Sequence, residues 1–199
     1  SLLYLSWSEG FRLGRPDPGV LPGLCDTDGN GLIDGTNVTI ASTRQVDSDN
    51  LENFEIGGKA AVLDRRMVID ASLYHIKWDG LPVRAVATCG TITSSYTSNV
   101  GKAESNGAEL QASLFLIDGL RIDLGLGYVK AKLTKDAPSL LPPAFDGDRL
   151  PGSPELTGNL GAQFDFALGG HDAFVRADSM FVGEFYGDFR QTPGVRAGD

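Results

Sequence analysis

The stretch Leu120-Arg121-Ile122-Asp123-Leu124-Gly125-Leu126-Gly127-Tyr128 is the clearest indication of how this sequence folds. Apolar residues occupy every second position, and the residues between them are charged or are glycine. Successive side chains of a β-strand point to opposite faces of the sheet, so this period of two predicts a strand with one apolar and one polar face. The same alternation recurs at 54–62, 67–73, 108–114 and 156–166, with weaker strands at 3–7 and 174–185. We therefore predict an all-β chain of about seven strands.

The connections between these strands fall into two length classes that alternate along the chain. Short turns are expected at 64–66, 118–119 and 167–171, and long polar loops rich in Gly and Pro at 13–49, 80–99 and 134–152. Outer-membrane barrels have tight periplasmic turns on one rim and long extracellular loops on the other. The pattern therefore predicts a fragment of an antiparallel transmembrane β-barrel. A soluble β-sandwich or lipocalin-like barrel, which also has one apolar sheet face, is the structural alternative.

Composition and charge exclude several classes of function. The 199 residues include 17 Lys and Arg against 26 Asp and Glu, for a net charge of −9. Nucleic acids and anionic membrane surfaces attract clustered positive charge, so neither is an expected partner. No run of about 18 apolar residues is present, which excludes a transmembrane helix. No Ser/His/Asp or paired-carboxylate arrangement surrounds His75 or His171, so we expect the chain not to be an enzyme.

Four motifs follow one another along the chain: YLSWSEGFR at 4–12, DNLENFEIGGK at 49–59, NVGKAESNGAE at 99–109 and LPGSP at 150–154. Their order and spacing resemble the C-terminal half of the barrel of TonB-dependent receptors, the active transporters of the Gram-negative outer membrane. The resemblance implies a barrel of about 22 strands, plugged by an N-terminal domain, that imports a scarce substrate with energy delivered through TonB. On this resemblance, residues 1–199 are part of the barrel domain, and the plug, the first barrel strands and the final strand lie outside them.

The resemblance also implies partners and a function. The expected partners are outer-membrane lipid, TonB through the plug region, and an extracellular substrate, by analogy a ferric siderophore or similar scarce nutrient. The alternatives are a passive porin or surface binding protein, and a soluble calcium-binding β-domain. Transport requires no cofactor in this interpretation.

In a barrel the polar face lines the lumen, where it can bind water or a plug domain. The candidates for this role are Glu55, Lys59, Glu109, Arg121 and Asp123. Of these, Glu55, Lys59 and Glu109 are the candidates for contacts with the plug. An ordinary solvated wall is the simpler interpretation of the same residues.

The segment 26–34, Asp-Thr-Asp-Gly-Asn-Gly-Leu-Ile-Asp, resembles the start of an EF-hand or dockerin-type calcium loop. Such loops place ligand oxygens at positions one, three, five and nine and a backbone carbonyl at seven, with glycine at six for the sharp turn. Those ligand positions are filled by Asp26, Asp28, Asn30, the carbonyl of Leu32 and Asp34. Position twelve, however, is Asn37 and not the usual Glu. A flexible turn rich in Asp, Gly and Asn is the alternative.

The two cysteines, Cys25 and Cys89, both fall in predicted long loops on the same rim. They lack the spacing of a metal site, and a bridge between them would suit an oxidising compartment. We predict a disulfide that ties the two loops together, with two free thiols as the alternative.

Overall fold

The computed structural model describes residues 1–99, 101–138, 140 and 143–189. The elements are, in chain order, β1 (Leu2–Arg12), β2 (Arg15–Pro16), α1 (Pro22–Cys25), a 3-10 helix (Ala41–Arg44), β3 (Gln45–Val46), β4 (Asp49–Val62), β5 (Met67–Asp79), β6 (Pro82–Cys89), β7 (Ile92–Asn99), β8 (Lys102–Ile117), β9 (Leu120–Leu133), β10 (Leu156–Leu168) and β11 (His171–Val182). Within these ranges, no helix is long and apolar enough to cross a membrane.

Seven strands form one antiparallel sheet in the order β1-β4-β5-β8-β9-β10-β11. Strands that are neighbours in this sheet are also consecutive along the chain once the short strands of the long loops are set aside, so the sheet is an open meander. The predicted seven-stranded antiparallel architecture is confirmed. Most strands are longer than the alternation indicated; β5 continues to Asp79, β8 has 16 residues and β9 continues to Leu133.

Strand pairing collects the apolar positions on one face of this sheet. One row across the sheet runs Leu5, Ile56, Leu73, Ala108, Tyr128 and Leu156. Directly paired residues of antiparallel strands lie on the same face, so the alternating segments all turn their apolar sides the same way. This face is open, since Leu126 is 44% and Leu160 is 52% exposed. A broad exposed apolar face marks a surface that something else covers.

Short turns close the hairpins at one rim, as predicted. The turn at 118–119 has Gly119 at a φ of 82°, and the turn at 169–170 has glycines at 61° and 83°. The turn at 63–66 is different, because its three left-handed residues, Leu63, Asp64 and Arg65, are not glycine. Non-glycine residues adopt this conformation at a cost of about 1–2 kcal/mol each, so this turn is strained.

The long connections at the opposite rim carry more structure than polar loops would. Residues 80–99 are not an irregular loop: β6 and β7 pair over their whole length as a hairpin. The first long connection contains α1, the 3-10 helix and the β2–β3 pair. In the third connection, Ser139, Leu141 and Pro142 lie outside the described residues.

The buried apolar core of the described residues lies almost entirely in these long connections and not in the large sheet. It comprises Val20, Cys25, Ile33, Val38 and Ile40 from the first, Leu81, Ala85, Ala87, Cys89 and Tyr96 from the second, Ala137, Leu140 and Ala144 from the third, and Ala103 and Leu133 from the adjoining strands. We call the three connections, residues 13–48, 80–101 and 134–155, the loop cap. A single strand layer cannot bury its own apolar face, whereas loops that fold against one another can.

Candidate functional site

The face of the sheet opposite the apolar one, which we call the polar wall, carries all five residues predicted to line a lumen. Glu55 pairs with Ser6 and Tyr74, and Glu109 pairs with Ser72 and Gly127. The register also places Lys59, Arg121 and Asp123 on this face. The alternation was sufficient to place them together because all the hairpins keep their register across these rows.

A recess of about 420 Å³ lies on the polar wall across β1, β4, β5 and β8. Its lining includes Tyr4, Asn53, Glu55, Tyr74 and Glu109. The Tyr4 hydroxyl donates a hydrogen bond of 2.6 Å to Oε1 of Glu55. Within the described residues, the Glu109 carboxylate has no hydrogen-bond or ion-pair partner, and Oδ1 of Asn53 is buried without a donor. The recess therefore contains two acceptor groups, the Glu109 carboxylate and Oδ1 of Asn53, that lack donors within the described residues.

Lys59, unlike the two glutamates, has an ion-pair partner on the polar wall. Its Nζ lies 2.5 Å from Oδ2 of Asp70, the residue that faces it on β5. This ion pair neutralises Lys59 within the wall itself. The recess therefore keeps the unbalanced negative charge of Glu55 and Glu109.

Arg121 and Asp123 belong to a separate network near the short turns. Oδ2 of Asp123 accepts a hydrogen bond from Nε of Arg121 at 3.0 Å, and Oδ1 accepts one from the Ser113 hydroxyl at 2.7 Å. Arg176 lies 3.6 Å from Asp123 and donates to Asp178 at 2.6 Å. Two positive and two negative groups balance here. Sequence reasoning did not include Arg176 and Asp178 among the candidates, although their positions on the polar side of β11 were the available signal.

A clasp joins the polar wall to the loop cap where β1 ends and β4 begins. Nε and Nη2 of Arg12 both donate to the carboxylate of Asp49, at distances of 2.7–3.1 Å. The indole Nε1 of Trp78 donates to the same carboxylate at 2.6 Å, and the Arg12 guanidinium lies over the Trp78 ring. Asp49 is only 7% exposed. The clasp thus satisfies a buried charge and closes the base of the first long connection.

Within the loop cap, the structure joins Cys25 to Cys89 by a disulfide, with Cα atoms 4.7 Å apart. Two polar side chains add to the link between the first two connections. Asp17 accepts from the backbone N–H of Thr97, and the Asn99 side chain bonds the backbone of Asp47 on both its N–H and C=O. These contacts attach the first connection to the β6–β7 hairpin at several points.

Burial in the core beneath these contacts lowers the acidity of a tyrosine hydroxyl. Tyr96 on β7 is 2% exposed. Burial raises the pKa of its hydroxyl, because the phenolate form would lose its hydration. The hairpin therefore packs against the first connection as the interior of a small folded unit.

The predicted calcium segment forms a tight acidic turn next to the disulfide. Carboxylate oxygens of Asp26, Asp28 and Asp34 lie within 4.8 Å of one another. Gly31 has a φ of 82° and donates its backbone N–H to Oδ2 of Asp26 at 2.9 Å, so position six of the motif has the expected backbone conformation. The other oxygen, Oδ1 of Asp26, is buried without a hydrogen-bond donor. Asn30 uses its side-chain oxygen to accept from the Leu32 N–H.

Comparisons of this chain with protein families, with known proteins and with solved structures all give receptors. The family model of the TonB-dependent receptor-like β-barrel matches residues 1–198. The metal-pseudopaline receptor CntO of Pseudomonas aeruginosa is 30% identical over 143 residues, which are 71% of this chain and 19% of that receptor.

Two solved structures show the same architecture. The ferric yersiniabactin uptake receptor FyuA of Yersinia pestis matches 95% of this chain and 24% of its own, with a TM-score of 0.65 and 16% identity. The siderophore receptor PiuA of Acinetobacter baumannii matches 96% of this chain and 25% of its own, with a TM-score of 0.61 and 19% identity. The chain thus spans about a fifth to a quarter of the length of these relatives.

Proposed function

Because this chain belongs to the TonB-dependent receptor β-barrel family, we propose that the protein imports a ferric siderophore or a related metal complex, using energy delivered through TonB. Members of this family are receptors and not enzymes, which confirms the expectation from the sequence that the chain is not an enzyme. Members of the family lie in the Gram-negative outer membrane. The exposed apolar face of the sheet therefore contacts lipid, and the polar wall faces the lumen. The observation that carries the proposal is the family match along 1–198, together with the unbalanced acceptors of the recess.

The substrate class is supported by what the relatives are named for. One is a metal-pseudopaline receptor, one a ferric yersiniabactin uptake receptor and one a siderophore receptor. All three names refer to a metal–chelator complex or to the chelator that forms one. The net charge of −9 gives no competing indication of a nucleic-acid ligand.

The transport proposal is tested with the full-length gene in a strain that lacks its other siderophore receptors. Cells should accumulate radioactive iron supplied as siderophore complexes, and deletion of TonB should abolish the uptake. Uptake that persists without TonB would support a passive porin. A protein recovered from the soluble fraction would support the soluble calcium-binding alternative.

We further propose that Glu55 and Glu109 bind donor groups of the plug. Both point into the recess, and neither is neutralised by a cation of the wall. Replacing either by Gln in the full-length receptor should loosen the plug and raise ion conductance in planar bilayers. The matched control is Glu9→Gln, since Glu9 pairs with Glu52 on the opposite face of the sheet. Conductance no higher than in this control would refute the contact.

Calcium binding by the segment 26–34 is a separate proposal. The three carboxylates are close enough to share an ion, and the unpaired oxygen of Asp26 needs a cation or donor. Titration of the metal-free full-length receptor with Ca²⁺ should release or absorb heat with one site per chain, and Asp28→Asn should weaken it. The control is Asp146→Asn in the third connection, which is exposed and outside the cluster. Equal titration curves for both variants would remove the site.

A further inference from the structure

Two tyrosines of the polar wall each lie opposite a glycine of the next strand. Tyr4 on β1 pairs with Gly57 on β4, and Tyr74 on β5 pairs with Gly107 on β8. A Cβ atom on either glycine would collide with the ring of its tyrosine. Each ring therefore lies flat across its glycine and along the wall, because only a residue without a side chain leaves this space free.

The flat orientation decides where the hydroxyl groups point. The Tyr4 hydroxyl reaches sideways to Glu55, which lies two residues before Gly57 on the same face of β4, and donates to Oε1 at 2.6 Å. A tyrosine projecting into the lumen from the same position would carry its hydroxyl away from the wall. The glycine at 57 is thus the reason why Tyr4 can hold this carboxylate.

The second pair shows the same packing without this polar contact. The ring of Tyr74 covers Gly107, but within the described residues its hydroxyl makes no hydrogen bond to a carboxylate, unlike that of Tyr4. Both tyrosine rings thus pack over a glycine, but only the Tyr4 hydroxyl donates a hydrogen bond to a carboxylate.

We infer that Tyr4, whose ring packs over Gly57, is a positioning residue: it holds the Glu55 carboxylate in the orientation in which Glu55 binds the plug. The inference rests on the proposed contact between Glu55 and the plug. A glutamate free to rotate would lose conformational entropy on binding, whereas a glutamate already held by a donor loses less. Tyr4 acts through Glu55 and does not itself need to touch the plug.

The test is a double-mutant cycle in the full-length receptor, reconstituted in planar bilayers. The readout is the ratio of conducting to non-conducting receptors at a fixed urea concentration, since release of the plug opens the barrel. Tyr4→Phe keeps the ring on Gly57 and removes the hydroxyl, and it should raise the ratio about two- to tenfold, as expected for the ordering cost of one side chain. Glu55→Gln should raise the ratio at least as much, and the double variant no more than Glu55→Gln alone.

Two further variants complete the experiment. Tyr128→Phe, which removes a tyrosine hydroxyl on the opposite, apolar face of the sheet, is the matched control and should leave the ratio unchanged. Gly57→Ala keeps the Tyr4 hydroxyl but displaces the ring, and it should reproduce the effect of Tyr4→Phe. Folding of each variant is judged by the mobility of the unheated barrel on gels. If Tyr4→Phe does not fold, Gly57→Ala replaces it in the cycle.

The outcomes separate this inference from the plug contact on which it rests. Additive effects of Tyr4→Phe and Glu55→Gln would overturn the positioning role, as would an unchanged ratio for Tyr4→Phe beside an increase for Glu55→Gln. An unchanged ratio for Glu55→Gln would refute the plug contact, and the positioning role with it.

Discussion

Replacing Cys25 and Cys89 together by serine should loosen the loop cap while leaving the seven-stranded sheet folded. The disulfide joins the first connection to the β6–β7 hairpin, and both cysteines are part of the buried core. The large sheet has its own hydrogen-bond ladders and shares only the outermost residues of its strands with this core. Loss of the disulfide should therefore destabilise the loop cap and not the sheet.

The magnitude follows from the ring of chain that the disulfide closes. The cysteines are 64 residues apart in sequence. While the sheet stays folded, however, the Asn50–Asp79 pair of β4 and β5 shortens the path between them. The ring that remains has roughly 37 residues, for which the chain-entropy model gives about 4 kcal/mol. Since about 1.4 kcal/mol is a factor of ten, local opening of the cap should become nearly a thousandfold more frequent.

Amide hydrogen exchange of the full-length receptor measures this opening. The backbone N–H of Ile33 donates to Val38, and that of Ile40 donates to Gly31, so both report on the first connection. Their protection should fall by two to three orders of magnitude in the double variant, and in the wild type after reduction. Reductant added to the double variant is the control and should change nothing.

Two results would refute this reasoning. If cap amides kept their protection in the double variant, the core and the polar contacts alone would hold the loops. If amides of β9 and β10 lost protection to the same extent, the cap and the sheet would unfold as one unit, and the ring of roughly 37 residues would be the wrong basis for the estimate.

Three further predictions concern stability in urea titrations of the refolded receptor. Arg12→Ala should cost about 2 kcal/mol, because it removes the main donor to the buried Asp49, and adding Asp49→Asn should recover part of the loss. Gly119→Ala should cost about 1–3 kcal/mol more than Gly170→Ala; both glycines are left-handed, but only at Gly119 would a methyl group press on a backbone carbonyl of the next hairpin. Leu133→Ala, at a fully buried position, should cost about 2–5 kcal/mol and be detected as faster exchange within the loop cap.

The elements that sequence reasoning located correctly are those with a strictly local signal. A period of two assigns each residue to a face without knowledge of the neighbouring strands, so Glu55, Glu109 and Asp123 could be placed on one polar face in advance. The tight turns at 118–119 and 169–170 were equally readable, since glycine there supplies the left-handed backbone.

The sequence by itself therefore determined the strands, their two faces and the rim at which the long connections lie, because each of these properties depends on residues close together in the chain. Only the tertiary structure decided that the long connections share a buried core, that Arg176 joins Asp123, and that Tyr4 lies over Gly57. These contacts depend on strand register and on chain segments that are far apart in sequence. No periodicity within a single strand carries that information.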